Sequence, residues 1–400
     1  MTSKITYLDG LRGLAACVVV VSHFFQVFAP SVFEGKTEIE HFAFEPFAAR
    51  TPINLLFNGN FSVCLFFVLS GYVLSYRYFR TKESLPVYAS ALRRYFRLAV
   101  PAVLSVVFAY LVIVFGIGYY DDIQSTTLSS MPDPFIASGS FLVMIQEAFY
   151  HTFFTYGMTY NPVLWTMTYE LFGSFLIFGF LLLVGRLKLR FLVYLLLCWV
   201  FIDSYYLGFV LGMLLSDLTY SGRNWLALIQ RPWVNLLLLI AGLYFGSFPY
   251  LGVEGTIYAV LVWKPGSGFA YFEFYHVIGA FLLLIALLNS PRMKAIFSLK
   301  PFAYLGKISF SLYLVHFTIL CSFGSFLFLQ LKPLFPYAVS VVLTVLLTTP
   351  VIFACAHLFY RWVDATTLDV LARWSKRLLQ PFANRQKVLL RASVEEKIGQ

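Results

Sequence analysis

Ten runs of apolar residues, most of them near twenty residues long, decide what this chain can fold into. A helix rises about 1.5 Å per residue, so roughly twenty apolar residues cross the hydrocarbon of a bilayer. The runs lie near 11–30, 60–79, 97–118, 162–185, 189–203, 205–217, 233–251, 272–289, 308–329 and 335–361. Backbone N–H and C=O groups in lipid must be satisfied internally, and runs of this length do so as helices. The expected fold is an all-α integral membrane bundle of about ten transmembrane helices. The fifth and sixth runs are short and almost continuous, and Asp203-Ser204 is the expected tight turn between them. Composition agrees. Only 12% of the 400 residues are charged and 60% are hydrophobic, with a mean hydropathy of +0.78, too little charge to cover a soluble surface.

The charges between the runs give an orientation. With the N-terminus inside, the inner segments hold 25 of the 29 basic residues, from Lys4 and Arg12 through Arg77–Arg97 to the tail. The outer segments keep Lys36, Arg50, Lys264 and Lys332, and most of the acids. Basic residues stay on the cytoplasmic side, so both termini are expected in the cytoplasm. The net charge of +10 is then a topology signal and not a nucleic-acid footprint. The first run contains Ser22, His23 and Gln26 and has no small-residue cleavage site, so it reads as a retained helix. In the outer segment 119–161, residues 138–158 form an aromatic, nearly uncharged stretch expected to be interfacial or re-entrant. A membrane domain over 1–364 and a basic cytoplasmic tail over 365–400, lying against anionic headgroups, complete the layout. The five cysteines sit in apolar runs without C-x-x-C spacing, which suggests neither disulfides nor a metal site.

Ionisable groups inside such runs are costly, and each is a candidate for function. On the first helix Asp9, Arg12, His23 and Gln26 fall within about 100° of one another, one polar stripe. Arg12 and His23 are about 16 Å apart along it, which places Arg12 at the inner boundary and His23 in the outer half. On the third helix Arg94 and Arg97 are i,i+3 neighbours whose guanidinium groups can converge on one anion. The fourth carries Trp165 and Glu170, the latter at the depth of His23, so that carboxylate and imidazole could act as base and orienter. The ninth places Ser309, Tyr313 and His316 on one face. Each has a plainer reading. The arginines could be positive-inside anchors, and His23, Glu170 and His316 could be satisfied interhelical hydrogen bonds. His41, His151, His276 and His357 are given no role. Arginines at the inner face with His and Glu farther out would suit an anionic cytosolic donor whose reactive end threads inward.

Five segments, in order, resemble the membrane acyltransferase 3 family. They are Leu8-Asp9-Gly10-Leu11-Arg12-Gly13-Leu14-Ala15-Ala16 with His23 downstream, Leu65-Phe66-Phe67-Val68-Leu69-Ser70-Gly71-Tyr72, and Arg94-x-x-Arg97 with Pro101. Leu164 to Glu170 and Ser309 to His316 complete the set, and the resemblance runs to about residue 364. The chain departs from the family pattern at Trp362-Val363-Asp364-Ala365-Thr366, where a Glu-x-Pro is common, and at Tyr169, which precedes a single acid. The resemblance implies transfer of an acyl group, usually acetyl from acetyl-CoA, to a carbohydrate hydroxyl at the plasma (inner) membrane, with acyl-CoA as co-substrate and no permanently bound cofactor. It implies His23 as general base and Arg12, Arg94 and Arg97 on the CoA phosphates. Glu170 would set the imidazole tautomer or touch the sugar, and Asp9, Trp165 and His316 would line the substrate site. The rival classes are a transporter or flippase of glycan or lipid-linked intermediates, and O-acylation of a lipid or small metabolite. A non-enzymatic scaffold leaves the stripe unexplained.

Overall fold

The computed structural model describes residues 5–137, 139–220, 229 and 231–398, with side chains followed to Pro381. Among these residues there is no strand. Helices α1 (Thr6–Phe28), α2 (Gly59–Thr81), α3 (Leu85–Val114), α4 (Trp165–Leu183) and α5 (Arg190–Val200) fall on the first five apolar runs. Helices α6 (Tyr206–Tyr220), α7 (Pro232–Gly246), α8 (Tyr271–Asn289), α9 (Lys300–Ile319) and α10 (Tyr337–Phe359) fall on the other five, and α11 (Ala365–Ile398) carries the basic tail. The stretches of α1, α2, α3, α4, α8, α9 and α10 are seven that are long and apolar enough to cross a membrane. Helices α5, α6 and α7 are shorter, at 11, 15 and 15 residues. The protein is an all-helical membrane protein. The turn at 201–204 separates α5 from α6, where Asp203-Ser204 was expected to do so. Lys4 and Arg223 of the charge pattern lie outside the described residues.

Helix α2 is the hub, packing on α1, α4, α6 and α8, while α9 packs on α1 and α10. Helix–helix contact in lipid depends on close approach of small residues, because lipid tails are as apolar as leucine. Gly13 and Gly306 provide it between α1 and α9. A Cβ on Gly306 would sit 2.2 Å from the Asp9 carbonyl oxygen, so the two backbones touch there. Large exposed apolar side chains such as Leu195, Trp199, Leu236, Ile240, Val342 and Leu346 face outward, as a lipid-facing belt requires.

Residues 141–154 form one short helical rod with a π turn at Glu147–His151, whose apolar side chains Phe141, Leu142 and Tyr150 are exposed. Another π turn, Tyr360–Asp364, joins α10 to α11 and leaves Asp364 buried. Glu170 is not alone among acids inside the helices. Asp217 of α6 is fully buried and meets Arg190 at 2.5 Å. Its position at the very end of an apolar run hid it.

Candidate active site

The α1–α9 pairing builds the centre of the site. These helices touch at Gly13 and Gly306, and both advance ten residues from there to a histidine, His23 on α1 and His316 on α9. Equal advance along two parallel helices brings the rings to the same level. Their centroids lie 4.9 Å apart, and His316 Nε2 is 2.9 Å from His23 Nδ1. The backbone decides where the protons are. His316 Nδ1 faces the Leu312 carbonyl at 2.9 Å, and His23 Nδ1 faces the Val19 carbonyl at 3.0 Å. Carbonyl oxygens only accept, so each neutral ring carries its hydrogen on Nδ1. His316 Nε2 is then a bare acceptor, and His23 Nδ1–H is shared between it and Val19. His23 Nε2 is left with a free lone pair.

His23 lines an outer cavity together with Ser22, Gln26, Asn60, Trp165, Tyr205 and Glu273, closed on one side by Phe33, Tyr250 and Phe272. The ring centroids of Trp165 and Tyr205 are 5.2 Å apart, so they form one aromatic wall. Asn60 donates to the Tyr205 hydroxyl at 2.5 Å and accepts from His276 Nδ1 at 2.9 Å. His276, given no role from sequence, is fully buried, and its Nε2 accepts from Asn58 Nδ2 at 3.1 Å. It supports the cavity wall through Asn60. Its placement near the start of an apolar run disguised it as an interfacial residue.

An inner cavity of about 150 Å³ is lined by Arg12, Arg94 and Arg97 with Ser70, Glu170 and Ser309. The three arginines come from two helices, which only the packing of α1 against its neighbours could reveal. Each has a carboxylate beside it. Arg12 lies 3.8 Å from Asp9, Arg94 is paired with Glu170, and Arg97 meets Asp364 at 2.5 Å and lies over the Phe310 ring. Asp364 was not among the expected site residues; it stands where the chain departs from the family pattern. The π turn that aims it inward has no sequence signature. Pro101 contributes too. It lacks the N–H that would bond the Arg97 carbonyl one turn earlier, which frees the backbone at the arginine turn.

Glu170 is therefore not the partner of His23. Its carboxylate accepts from Arg94 and, at 2.9 Å, from Ser70 Oγ, on the inner side of the site. Depth along the helices had suggested that Glu170 meets His23; instead the two line different cavities, and the partner of His23 is His316. Trp165 stands in the outer cavity and not with the arginines. The two cavities share Val63 and Tyr313 in their walls. The Tyr313 hydroxyl is fixed there, donating to the Val163 carbonyl at 2.5 Å beside Thr166 Oγ1 at 2.9 Å. The arrangement is a basic chamber and a histidine chamber that share part of a wall.

The comparisons with known proteins bear on this geometry. The sequence model of the acyltransferase domain family matches residues 5–357, which include every one of these site residues except Asp364. The chain belongs to this acyltransferase family. Among curated proteins it is similar to O-acetyltransferase PaAT-1 of Phomopsis amygdali, at 25% identity over 95% of this chain and 86% of that protein. It is also similar to acyltransferase R4 of a Phoma strain, at 23% identity over 82% of this chain and 85% of that one. No solved structure matches it. The protein is thus a membrane acyltransferase.

Proposed function

We propose that this acyltransferase moves an acyl group, acetyl in the first instance, from acyl-CoA to a hydroxyl of a carbohydrate. The observation that carries this reading is the pair of adjacent chambers, arginines in one and a histidine with a free ring nitrogen in the other. CoA phosphates are held by Arg12, Arg94 and Arg97, since a guanidinium has five N–H donors and a single carboxylate does not occupy them all. The pantetheine arm passes the shared wall at Val63 and Tyr313, and the thioester reaches His23. His23 Nε2 takes the proton of the acceptor hydroxyl as its oxygen attacks the thioester carbon. The C–O bond forms, the C–S bond breaks, and the proton passes to the departing CoA sulfur. His316 holds the tautomer and disperses the charge of the transient imidazolium. Glu170 anchors Arg94 and takes no part in proton transfer.

The acceptor site is the outer cavity. Trp165 and Tyr205 offer flat faces to the C–H side of a sugar ring, while Gln26, Asn60 and Glu273 offer partners to its hydroxyls. A second reading, O-acylation of a less polar hydroxylated metabolite or lipid, is favoured by Phe33, Met131, Met158 and Phe272 in the same wall. Under either, both termini are cytoplasmic and the donor enters from that side of the plasma membrane.

The test is turnover of radiolabelled acetyl-CoA by purified protein in nanodiscs with a panel of sugar, lipid and small-alcohol acceptors. Ester formation with a sugar supports the first reading, and ester formation only with less polar alcohols supports the second. Acetyl-CoA left intact with every acceptor, while a lipid-linked glycan crosses the bilayer, would return the protein to the transporter class.

A further inference from the structure

A second basic cavity lies along the groove that holds the arginines. It is formed by α2, the start of α3 and the tail helix α11, with Arg77, Arg93 and Lys376 as its cations and Tyr76, Ser90 and Gln380 among its polar groups. The helix register places it on the same faces of α2 and α3 as the inner chamber. On α2 the chamber uses Val63, Phe67 and Ser70 and this cavity uses Val73, Leu74 and Arg77, residues that share one face at 100° per residue. On α3 the chamber uses Arg94, Arg97 and Leu98 and the cavity uses Pro86, Val87, Ser90 and Arg93, again along one side. From Ser70 to Arg77 is about 10 Å of rise, so the cavity's Arg77 lies some two turns nearer the basic end.

Its charge is less compensated than that of the inner chamber. There each arginine has a carboxylate. Here Arg77 has the exposed Glu83 at 3.5 Å, but neither Arg93 nor Lys376 has a carboxylate partner among the described residues. Arg93 spends its Nε on the Ala89 carbonyl at 3.0 Å, which fixes the guanidinium while leaving its terminal nitrogens to donate elsewhere. Cations converging on a groove without matching acids mark a site for an anion bearing more than one charge.

We propose that this cavity binds the ribose 3′-phosphate end of acyl-CoA, with Arg93 and Lys376 on the phosphate and the tail helix α11 as one wall of the donor site. The inference rests on acyl-CoA being the donor. Beyond its pyrophosphate, CoA continues through one ribose to a phosphomonoester. Along α2 and α3 the chamber of Arg12, Arg94 and Arg97 is likewise followed by a second set of cations. The tail then has a part in donor binding and is more than a membrane anchor. A phosphate of similar chemistry could come from an anionic lipid headgroup at the same level, and the experiment separates the two sources.

The experiment compares KM for acetyl-CoA and for acetyl-dephospho-CoA, which lacks only the 3′-phosphate, in nanodiscs of phosphatidylcholine with and without phosphatidylserine. The wild type is expected to show a KM roughly tenfold higher for the dephospho donor, the worth of one charge-assisted contact. In Arg93→Gln and in Lys376→Ala the KM for acetyl-CoA should rise toward that of the dephospho donor, and the gap between donors should close. Turnover of the dephospho donor by each variant reports that it has folded. Equal KM values for the two donors in the wild type overturn the proposal while leaving acyl-CoA as donor. Variants that raise both KM values alike, or that matter only when phosphatidylserine is present, overturn it in favour of the lipid. A wild type that consumes neither thioester removes the donor reading itself, a result distinct from the other two.

Discussion

At the scale of single residues the site turns on where hydrogen atoms sit. The Val19 and Leu312 carbonyls hold the Nδ1 protons of His23 and His316, and that leaves His23 Nε2 with the lone pair the proposed base needs. Removing His316 should therefore affect chemistry more than donor binding. His316→Ala is expected to lower kcat roughly 10- to 100-fold, less than loss of the base itself, with little change in KM for acetyl-CoA. An unchanged kcat would mean that the ring pair is packing only. The Arg94–Glu170 pair makes a different prediction. Its side chains are only 14% and 13% exposed, so taking away one partner leaves a charge without its counterpart. Glu170→Ala or Arg94→Ala should each cost about 3–5 kcal/mol in thermal or denaturant unfolding, and the double variant should cost much less than the sum. Additive losses would show that the two residues act separately. The polar residues of the site were mostly legible in the sequence, because His23, Arg94, Arg97 and Glu170 are conspicuous in apolar runs. Their partners were not. Whether Glu170 meets His23 or Arg94 depends on how helices are rotated against each other, and one helix's periodicity does not contain that.

At the scale of elements, the register of α1 against α9 sets the His23–His316 geometry, and Gly13 and Gly306 set the register. Any side chain at 306 must push the helices apart, since its Cβ alone would lie 2.2 Å from the Asp9 oxygen. Gly306→Leu is expected to lose about 100-fold in activity, as misplacement of reacting groups by an ångström can do, while the protein still inserts and purifies as a monodisperse species. Near wild-type turnover would remove the register from the account. The short helices α5 and α6 and the turn between them were legible from Asp203-Ser204. The π turn at Tyr360–Asp364 was not, because a single wide turn leaves no periodic trace in 23 apolar residues. Asp364 was consequently visible only as a departure from a family pattern, although it meets Arg97 of the basic chamber.

At the scale of the whole molecule, the apolar runs foretold where each helix lies, since length and hydropathy are properties a bilayer reads directly. The charge pattern also predicts an orientation for the bundle, and that prediction is open to test. After the five native cysteines are replaced, a single cysteine at Lys36 or Lys264 should react with a membrane-impermeant maleimide on intact cells. One at Lys82 or Lys294 should react only after permeabilisation, and the reverse pattern would invert the topology. What neither runs nor charges could show is the division of the interior into a basic chamber and a histidine chamber meeting at Val63 and Tyr313. That division is the core of the account, because it assigns the donor's phosphates and the proton transfer to different residues. The most direct test is steady-state kinetics of His23→Ala beside Arg97→Lys with acetyl-CoA and a productive acceptor. His23→Ala should lose about 10²- to 10⁴-fold in kcat with KM for acetyl-CoA retained, and Arg97→Lys should raise that KM with kcat largely kept. Wild-type rates of acyl transfer from His23→Ala would contradict the account.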